Sequence, residues 1–101
     1  KRSFSKKEIE LSKNSKNKTN FFAKRFAAKE SLSKAIGTGF RKGLNLKDIE
    51  ILNDVNGKPF YSKKKKVSNI INQIFEINKY HLFLSITDER DYSIAFTILQ
   101  K

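Results

Sequence analysis

The sequence predicts an α+β fold in which an antiparallel sheet packs with one long helix and shorter helices. Between residues 67 and 75, apolar side chains recur at i, i+3, i+4, i+7 and i+8, which is the period of an amphipathic helix. Residues 81–87 and 92–98 instead alternate apolar and polar side chains, as half-buried strands do. The pair Asn56-Gly57 is a strong hairpin signal. Consecutive strand pairs alternating with helices indicate an α+β domain with antiparallel strands.

The first element is a short helix near the start of the chain. Ser5 and Glu8 have the spacing of a capping box, so a helix is expected to begin there. Residues 1–20 form a basic lead-in, and within it residues 13–20 are expected to be a flexible, solvated loop of Lys, Asn, Ser and Thr.

The second element is the long helix. Asn20 is its predicted N-cap, and the helix is expected to run over about 21–36 with an apolar face. Gly37 ends it, because glycine commonly occupies the position after a helix, and residues 37–39 form a turn. The predicted apolar face consists of Phe22, Phe26, Leu32, Ala35 and Ile36.

Two hairpins with a helix between them complete the predicted order. The elements are a strand over 46–54, a turn at Asn56-Gly57, a return strand from Phe60-Tyr61, a basic run over 63–66, a helix over 67–78, and two strands over 81–87 and 92–98 joined by a turn at 88–90.

Length and composition narrow the class of protein. The 101 residues suit one domain, 1–101, and 22 Lys and Arg against 10 Asp and Glu give a formal charge of +12 that attracts anionic partners. Without cysteine and with a single histidine, a metal here must be a hard cation on oxygen ligands. No apolar run approaches the roughly 20 residues that span a bilayer, and no secretory signal is visible. We therefore predict a cytoplasmic protein with no membrane partner.

One stripe of the long helix combines small and charged residues. Ala23, Ala27, Glu30 and Lys34 follow each other at i, i+4, i+7 and i+11, which places them on one face. This face is a shallow groove with an acid and a base at one end. On helix geometry alone, an exposed Glu30–Lys34 salt bridge worth a few tenths of a kcal/mol is the preferred interpretation.

Three sequence blocks resemble those of holo-acyl-carrier-protein synthases. They are RFAAKE at 25–30 with KA at 34–35 and GTG at 37–39, DIE at 48–50 with NGKP at 56–59, and LSITDERDY at 84–92 with Ala95. The resemblance implies the 4'-phosphopantetheinyl transferase fold and a homotrimer with active sites between subunits. It also implies Mg²⁺-dependent transfer of 4'-phosphopantetheine from coenzyme A to a serine of apo-acyl carrier protein, for fatty acid biosynthesis.

The same resemblance implies roles for individual residues. Glu30 matches the family's magnesium ligand, and either Glu30 or a water it orients takes the proton of the carrier serine. Lys34 matches the catalytic lysine that contacts phosphate, and Arg25 matches an arginine near the nucleotide phosphates. The resemblance also implies that Asn56, Gly57 and Pro59 belong to the loop that lines the adenine, and that Gly37 and Gly39 let the backbone approach the ligand closely. Asp88 matches a ligand-contacting position where many members have histidine. For Asp88, a plain turn residue is an equal alternative.

One family segment has no counterpart in the sequence. The family opens with a strand that carries a Gly-x-Asp motif, whose aspartate is the second metal ligand, followed by a basic helix that docks the acidic carrier protein. We expect this chain to lack that first strand, so an inactive fragment of the transferase is one alternative. A basic nucleic-acid-binding module is another, supported by the charge of +12 but by no known motif.

Overall fold

The computed structural model describes residues 3–37, 45–88 and 92–101. In these ranges three α-helices combine with two antiparallel strand pairs, which confirms the predicted α+β class. The elements are α1 Lys6–Ser12, α2 Lys18–Ile36, a 3₁₀ turn Leu46–Asp48, β1 Ile51–Asn53, β2 Pro59–Tyr61, α3 Lys65–Phe75, β3 His81–Asp88 and β4 Ser93–Gln100.

The strands form two separate ladders. β1 pairs with β2 so that Leu52 lies opposite Phe60, and β3 pairs with β4 so that Leu84 lies opposite Thr97. α2 lies against β4 and also contacts β3 and β1, while β2 lies beside β3 without backbone pairing. The long helix therefore occupies the centre of the fold and touches both ladders.

The start of α2 corrects one prediction. Asn17 is the N-cap, because its side-chain oxygen accepts the backbone N–H of Asn20 at 3.0 Å. The helix thus begins three residues before the predicted start, and the last part of the expected loop over 13–20 is helical. The side chain of Asn20, which was expected to be the cap, donates instead to Asp88 Oδ1 at 3.0 Å. The capping box of α1 is confirmed, since Ser5 and Glu8 bond each other's backbone reciprocally.

The predicted strand over 46–54 is wrong in its first half. Asn45 donates its backbone N–H to Asp48 Oδ2 at 2.8 Å, which stabilises a 3₁₀ turn in place of extended chain. The ammonium of Lys29 also donates hydrogen bonds to the carbonyl of Leu46, at 2.9 Å, and to that of Ile49. These contacts hold residues 45–49 in the turn, and the strand is limited to Ile51–Asn53.

The later elements follow the predictions closely. The hairpin turn is confirmed, and Gly57 has φ +83°, a backbone region that favours glycine. α3 runs over Lys65–Phe75 instead of 67–78, and it ends at Glu76, whose φ of 56° is left-handed. β3 continues to Asp88, so this residue ends a strand and pairs with Ser93 across the hairpin instead of lying in the turn.

The core is mainly apolar, and the charged residues buried beside it come from α2, from α1 (Glu8) and from the segment before β1 (Glu50). It contains Ala28, Leu32, Ile36, Ile49, Ile51, Val67, Ile70, Ile71 and Leu84. On α2 the buried face also includes Arg25 and Lys29, whereas Phe26, which was expected to belong to the apolar face, is 40% exposed. Within the described residues, none of the helices has the length and apolar character needed to cross a bilayer.

Candidate active site

The stripe predicted on α2 lines a cavity against β4. Its volume is about 380 Å³, and its walls are Ala27, Glu30, Ser31, Lys34 and Ala35 from α2 and Ala95, Phe96 and Thr97 from β4. Glu30 and Lys34 are both exposed, and among the ion pairs of the described residues none joins them. The salt-bridge interpretation of this pair is therefore wrong. The carboxylate and the ammonium are both available to a ligand in the cavity.

Hydroxyl groups form the wall behind this pair. Ser31 Oγ donates to Thr97 Oγ1 at 2.7 Å, which joins α2 to β4. Tyr61 reaches the same point from β2, with its hydroxyl 2.7 Å from Thr97 Oγ1 and donating to the carbonyl of Ala28 at 2.8 Å. Burial raises the pKa of Tyr61 to about 12, so its hydroxyl keeps its proton at neutral pH.

Arg25 faces the opposite side of α2. Each helical residue advances by about 100°, so Arg25 points about 140° away from Glu30 and about 180° away from Lys34. Its guanidinium lies 3.9 Å from the centre of the Phe21 ring and donates to Asn53 Oδ1. Desolvation lowers the pKa of Arg25, and its Nε is buried with no hydrogen-bond partner.

Asn53 connects Arg25 to the loop that was predicted to line the adenine. Its Nδ2 donates to the carbonyl of Gly57 at 2.9 Å while its oxygen accepts from Arg25. In the same hairpin, the backbone N–H of Asn56 donates to Asp54 Oδ1 at 2.9 Å, and Pro59 opens β2. The structure therefore brings Arg25 and the hairpin loop together, and it keeps both apart from Glu30 and Lys34.

A second cavity, of about 280 Å³, opens beside Arg25. It is lined by Leu11, Asn14, Ser15, Asn20, Phe21, Lys24, Arg25 and Asn53. Asp88, at the end of β3, lies near this cavity beside the start of α2. Its Oδ1 accepts hydrogen bonds from the side chains of Asn20 at 3.0 Å and Ser93 at 3.1 Å, and its Oδ2 lies 3.8 Å from Lys24 Nζ. These interactions lower the pKa of Asp88, the hydrogen bond from Asn20 most of all.

The two predicted glycines have different outcomes. Gly37 ends α2 with φ +82°, as predicted, and, among the described residues other than its neighbours in the chain, none lies within 4 Å of the position that a Cβ would take. Gly39 lies outside the described residues.

Sequence reasoning missed a buried ion pair next to the site. Lys29 and Glu8 both have fully buried side chains, 2.7 Å apart, and Glu8 also accepts the backbone N–H of Ser5 at 2.9 Å and of Ile51 at 3.0 Å. A signal was available, because Lys29 lies one turn before Leu32 and Ser33 on the buried face of α2. A lysine in such a place needs a buried partner.

The cavity of Glu30 fits a magnesium ion that takes one carboxylate ligand from the protein. In the part of the chain that the structure describes, no group of three or more His, Cys, Asp or Glu side chains converges. Glu30 is the one carboxylate among the residues that line this cavity. Magnesium is commonly held by one or two carboxylates together with substrate phosphates and waters. The residues therefore fit a metal that arrives with a phosphorylated substrate.

Comparisons with known proteins agree with this fold. The family model described as "4'-phosphopantetheinyl transferase superfamily" matches residues 1–97. A holo-[acyl-carrier-protein] synthase of Pelagibacter ubique is 54% identical over 101 residues, which cover all of this chain and 79% of that protein. The fold is thus that of a phosphopantetheinyl transferase.

Solved structures show the same relationship. The crystal structure of the holo-[acyl-carrier-protein] synthase from Neisseria meningitidis superposes with a TM-score of 0.85 at 33% identity, covering 99% of this chain and 78% of that one. The Helicobacter pylori enzyme in complex with coenzyme A gives a TM-score of 0.77 at 29% identity, covering 98% and 78%. This chain belongs to the holo-[acyl-carrier-protein] synthases of the 4'-phosphopantetheinyl transferase superfamily.

Proposed function

We propose that this chain transfers the 4'-phosphopantetheine group of coenzyme A to a serine of apo-acyl carrier protein. The observation that carries the proposal is the cavity between α2 and β4, where Glu30 and Lys34 are exposed on one stripe and make no ion pair with each other. The carboxylate of Glu30 can accept a proton or bind a metal ion, and the ammonium of Lys34 supplies a positive charge in the same cavity. This combination suits phosphoryl transfer.

The reaction assigns a distinct task to each of these two side chains. The serine oxygen forms a bond to the phosphorus that carries pantetheine, and the bond from that phosphorus to 3',5'-ADP breaks. Lys34 neutralises charge on the phosphate oxygens through its ammonium. Glu30, or a water that it orients, receives the serine proton. A magnesium ion held by Glu30 would supply further neutralisation of the pyrophosphate.

Arg25 and the hairpin loop are proposed to hold the nucleotide part of coenzyme A. A buried guanidinium Nε without a partner, beside Lys24 and a 280 Å³ cavity, favours an anionic ligand. Asn53 places Gly57 beside this guanidinium, and Asn56 and Pro59 belong to the same hairpin. The 3',5'-ADP portion of coenzyme A carries phosphate groups that Arg25 can bind and an adenine that the hairpin loop can contact.

The placement of these two groups supports a homotrimer with sites between subunits. Arg25 and Lys34 point to opposite sides of α2, so one ligand would have to wrap around the helix to contact both in the same subunit. A ligand that lies between two subunits can contact Arg25 of one copy and Lys34 of the other. The outer face of β3 and β4 is apolar as well: Phe83 is 51%, Ile94 49%, Phe96 64% and Ile98 48% exposed. A contiguous apolar face of this kind is typical of a protein interface.

The assembly can be tested on this face. Phe96→Glu should shift the mass measured by analytical ultracentrifugation from trimer to monomer, because it places a charge in the centre of the buried contact. Gln73→Glu is the matched control, since Gln73 is an exposed residue of α3, outside this face. A wild-type chain that sediments as a monomer would contradict the trimer.

The transfer itself is tested with apo-acyl carrier protein, coenzyme A and magnesium, and the carrier mass is read by mass spectrometry. Wild type should add the phosphopantetheine mass, and Glu30→Gln should reduce the rate by two or more orders of magnitude. Glu10→Gln is the matched control, because Glu10 is an exposed residue of α1 whose ion pair in the described part of the chain is with Lys13. Wild-type rates in Glu30→Gln would remove Glu30 from the site, and an inactive wild type would refute the function.

The setting of the reaction belongs to the same proposal. We place it in the cytoplasm and in fatty acid biosynthesis, as the family resemblance implies. Binding of nucleic acid that falls steeply with salt, without magnesium-dependent binding of coenzyme A, would instead support the basic-module alternative.

A further inference from the structure

Three hydroxyl groups form a directed chain behind the cavity of Glu30 and Lys34. Ser31 Oγ donates to Thr97 Oγ1 at 2.7 Å, and the hydroxyl of Tyr61 donates to the carbonyl of Ala28 at 2.8 Å. Thr97 Oγ1 and the Tyr61 oxygen are 2.7 Å apart. These contacts join residues that are 30 or more positions apart in the sequence, on α2, β2 and β4.

The direction of each bond follows from counting protons. A hydroxyl has one proton to donate and lone pairs with which to accept. The proton of Tyr61 is used on the Ala28 carbonyl, so the proton of Thr97 must point to the Tyr61 oxygen. Thr97 then accepts from Ser31. All three protons are engaged inside the protein, and Ser31 can therefore offer only lone pairs to a ligand.

Ser31 is part of the lining of the proposed active site. Ser31 lines the 380 Å³ cavity together with Glu30 and Lys34, and it follows Glu30 directly in the helix. Lys34 can only donate hydrogen bonds, and Ala27, Ala95 and Phe96 provide apolar walls. Ser31 is thus a neutral acceptor in this cavity, and a neutral acceptor selects ligand groups that carry N–H or O–H.

The pantetheine arm of coenzyme A has such groups, because it carries two amide N–H groups and a hydroxyl along an otherwise apolar chain. We propose that Ser31 is a specificity residue whose Oγ accepts a hydrogen bond from the pantetheine arm, and that Thr97 and Tyr61 are positioning residues that hold its proton away from the cavity. This inference rests on the proposed transferase function. It adds a subsite for the arm to the sites for phosphate and nucleotide.

The positioning role has a physical reason. A serine inside a helix readily turns its hydroxyl to the carbonyl one turn earlier, here that of Ala27. Thr97 competes with that carbonyl for the proton of Ser31, and Tyr61 fixes which way Thr97 itself points. Removing the hydroxyl of Thr97 should therefore release Ser31 to the helix backbone and weaken its contact with the arm.

The test compares coenzyme A with 3',5'-ADP, which lacks the arm, by calorimetric titration of the full chain with magnesium. Ser31→Ala should weaken coenzyme A binding roughly fivefold, the effect of losing one neutral hydrogen bond, and leave 3',5'-ADP binding unchanged. Thr97→Val should act in the same way, whereas Thr97→Ser keeps a hydroxyl and should bind like wild type. The double variant Ser31→Ala/Thr97→Val should be no weaker than Ser31→Ala alone, because both changes remove the same contact.

Steady-state kinetics give an independent readout. The KM for coenzyme A should rise in Ser31→Ala while the KM for acyl carrier protein stays at its wild-type value. Equal losses for coenzyme A and 3',5'-ADP, or unchanged coenzyme A binding in Ser31→Ala, would overturn the inference while leaving the transferase function intact. A wild-type chain that neither binds coenzyme A nor transfers its arm would overturn both. Should Thr97→Val fail to fold, the partly exposed Ser31→Ala decides the question alone.

Discussion

The buried pair of Lys29 and Glu8 makes the strongest prediction about stability. Lys29→Met removes the ammonium and keeps a long, unbranched side chain of similar length. In the native protein this ammonium contacts Glu8 Oε1 at 2.7 Å and the Ile49 carbonyl, both buried, and the partly buried Leu46 carbonyl at 2.9 Å. Without it, the carboxylate of Glu8 stays buried and, among the described residues, keeps the backbone N–H donors of Ser5 and Ile51.

The expected loss is large for a domain of this size. Removing one partner of a buried ion pair costs about 3–5 kcal/mol, because the charge that remains has no compensation. Small domains have unfolding free energies of about 5–15 kcal/mol, so this is a major share. At roughly 4–8 °C per kcal/mol, the melting temperature should fall by about 12–40 °C.

The assay is thermal and urea unfolding followed by circular dichroism. Lys34→Met is the matched control, because it makes the same change in the same helix at an exposed position and should alter stability by less than about 0.5 kcal/mol. Adding Glu8→Gln to Lys29→Met removes the orphaned charge and leaves an oxygen that can accept from Ile51, so the double variant should regain much of the loss. A Lys29→Met protein within about 1 kcal/mol of wild type would refute the reasoning.

Two further predictions concern Tyr61 and the start of α2. Because burial raises the pKa of Tyr61 to about 12, the unfolded state ionises first, and the free energy of unfolding should fall by about 2–3 kcal/mol as pH rises from 10 to 12. Tyr61→Phe should remove this part of the decline, measured by urea unfolding at each pH; an unchanged decline in the variant would contradict it. Asn17→Ala should cost about 1 kcal/mol through loss of the helix cap, and Asn20→Ala clearly less, in the same unfolding assay. Equal losses at the two positions would contradict Asn17 as the cap.

Elements with a strong local pattern were predictable. The capping box of Ser5 and Glu8, the helical period of α3 and the alternation along β3 and β4 each depend on neighbours a few residues apart. The stripe of Glu30 and Lys34 was predictable for the same reason, because helix periodicity places both on one face. For these features the sequence alone determined the element type and the face, with errors of one to three residues at the ends.

Contacts between distant segments were not predictable in this way. Asn17 and Asn20 are equally good caps in sequence, and the bond from Asn20 to Asp88 across 68 positions accompanies the choice of Asn17. The turn at 46–48 replaces the predicted strand, and it is stabilised by a hydrogen bond from the ammonium of Lys29 to the carbonyl of Leu46, seventeen positions later in the chain.

The sequence by itself thus determined the α+β class, the family blocks and the charged stripe of the long helix. Only the tertiary structure decided that Arg25 contacts Asn53 of the β1–β2 hairpin, that Lys29 is buried against Glu8, and that Ser31 donates to Thr97. The physical reason is the range of the interactions. Periodicity and capping act within a few residues, whereas burial of charge and the direction of a hydroxyl proton depend on partners that meet only when the chain folds.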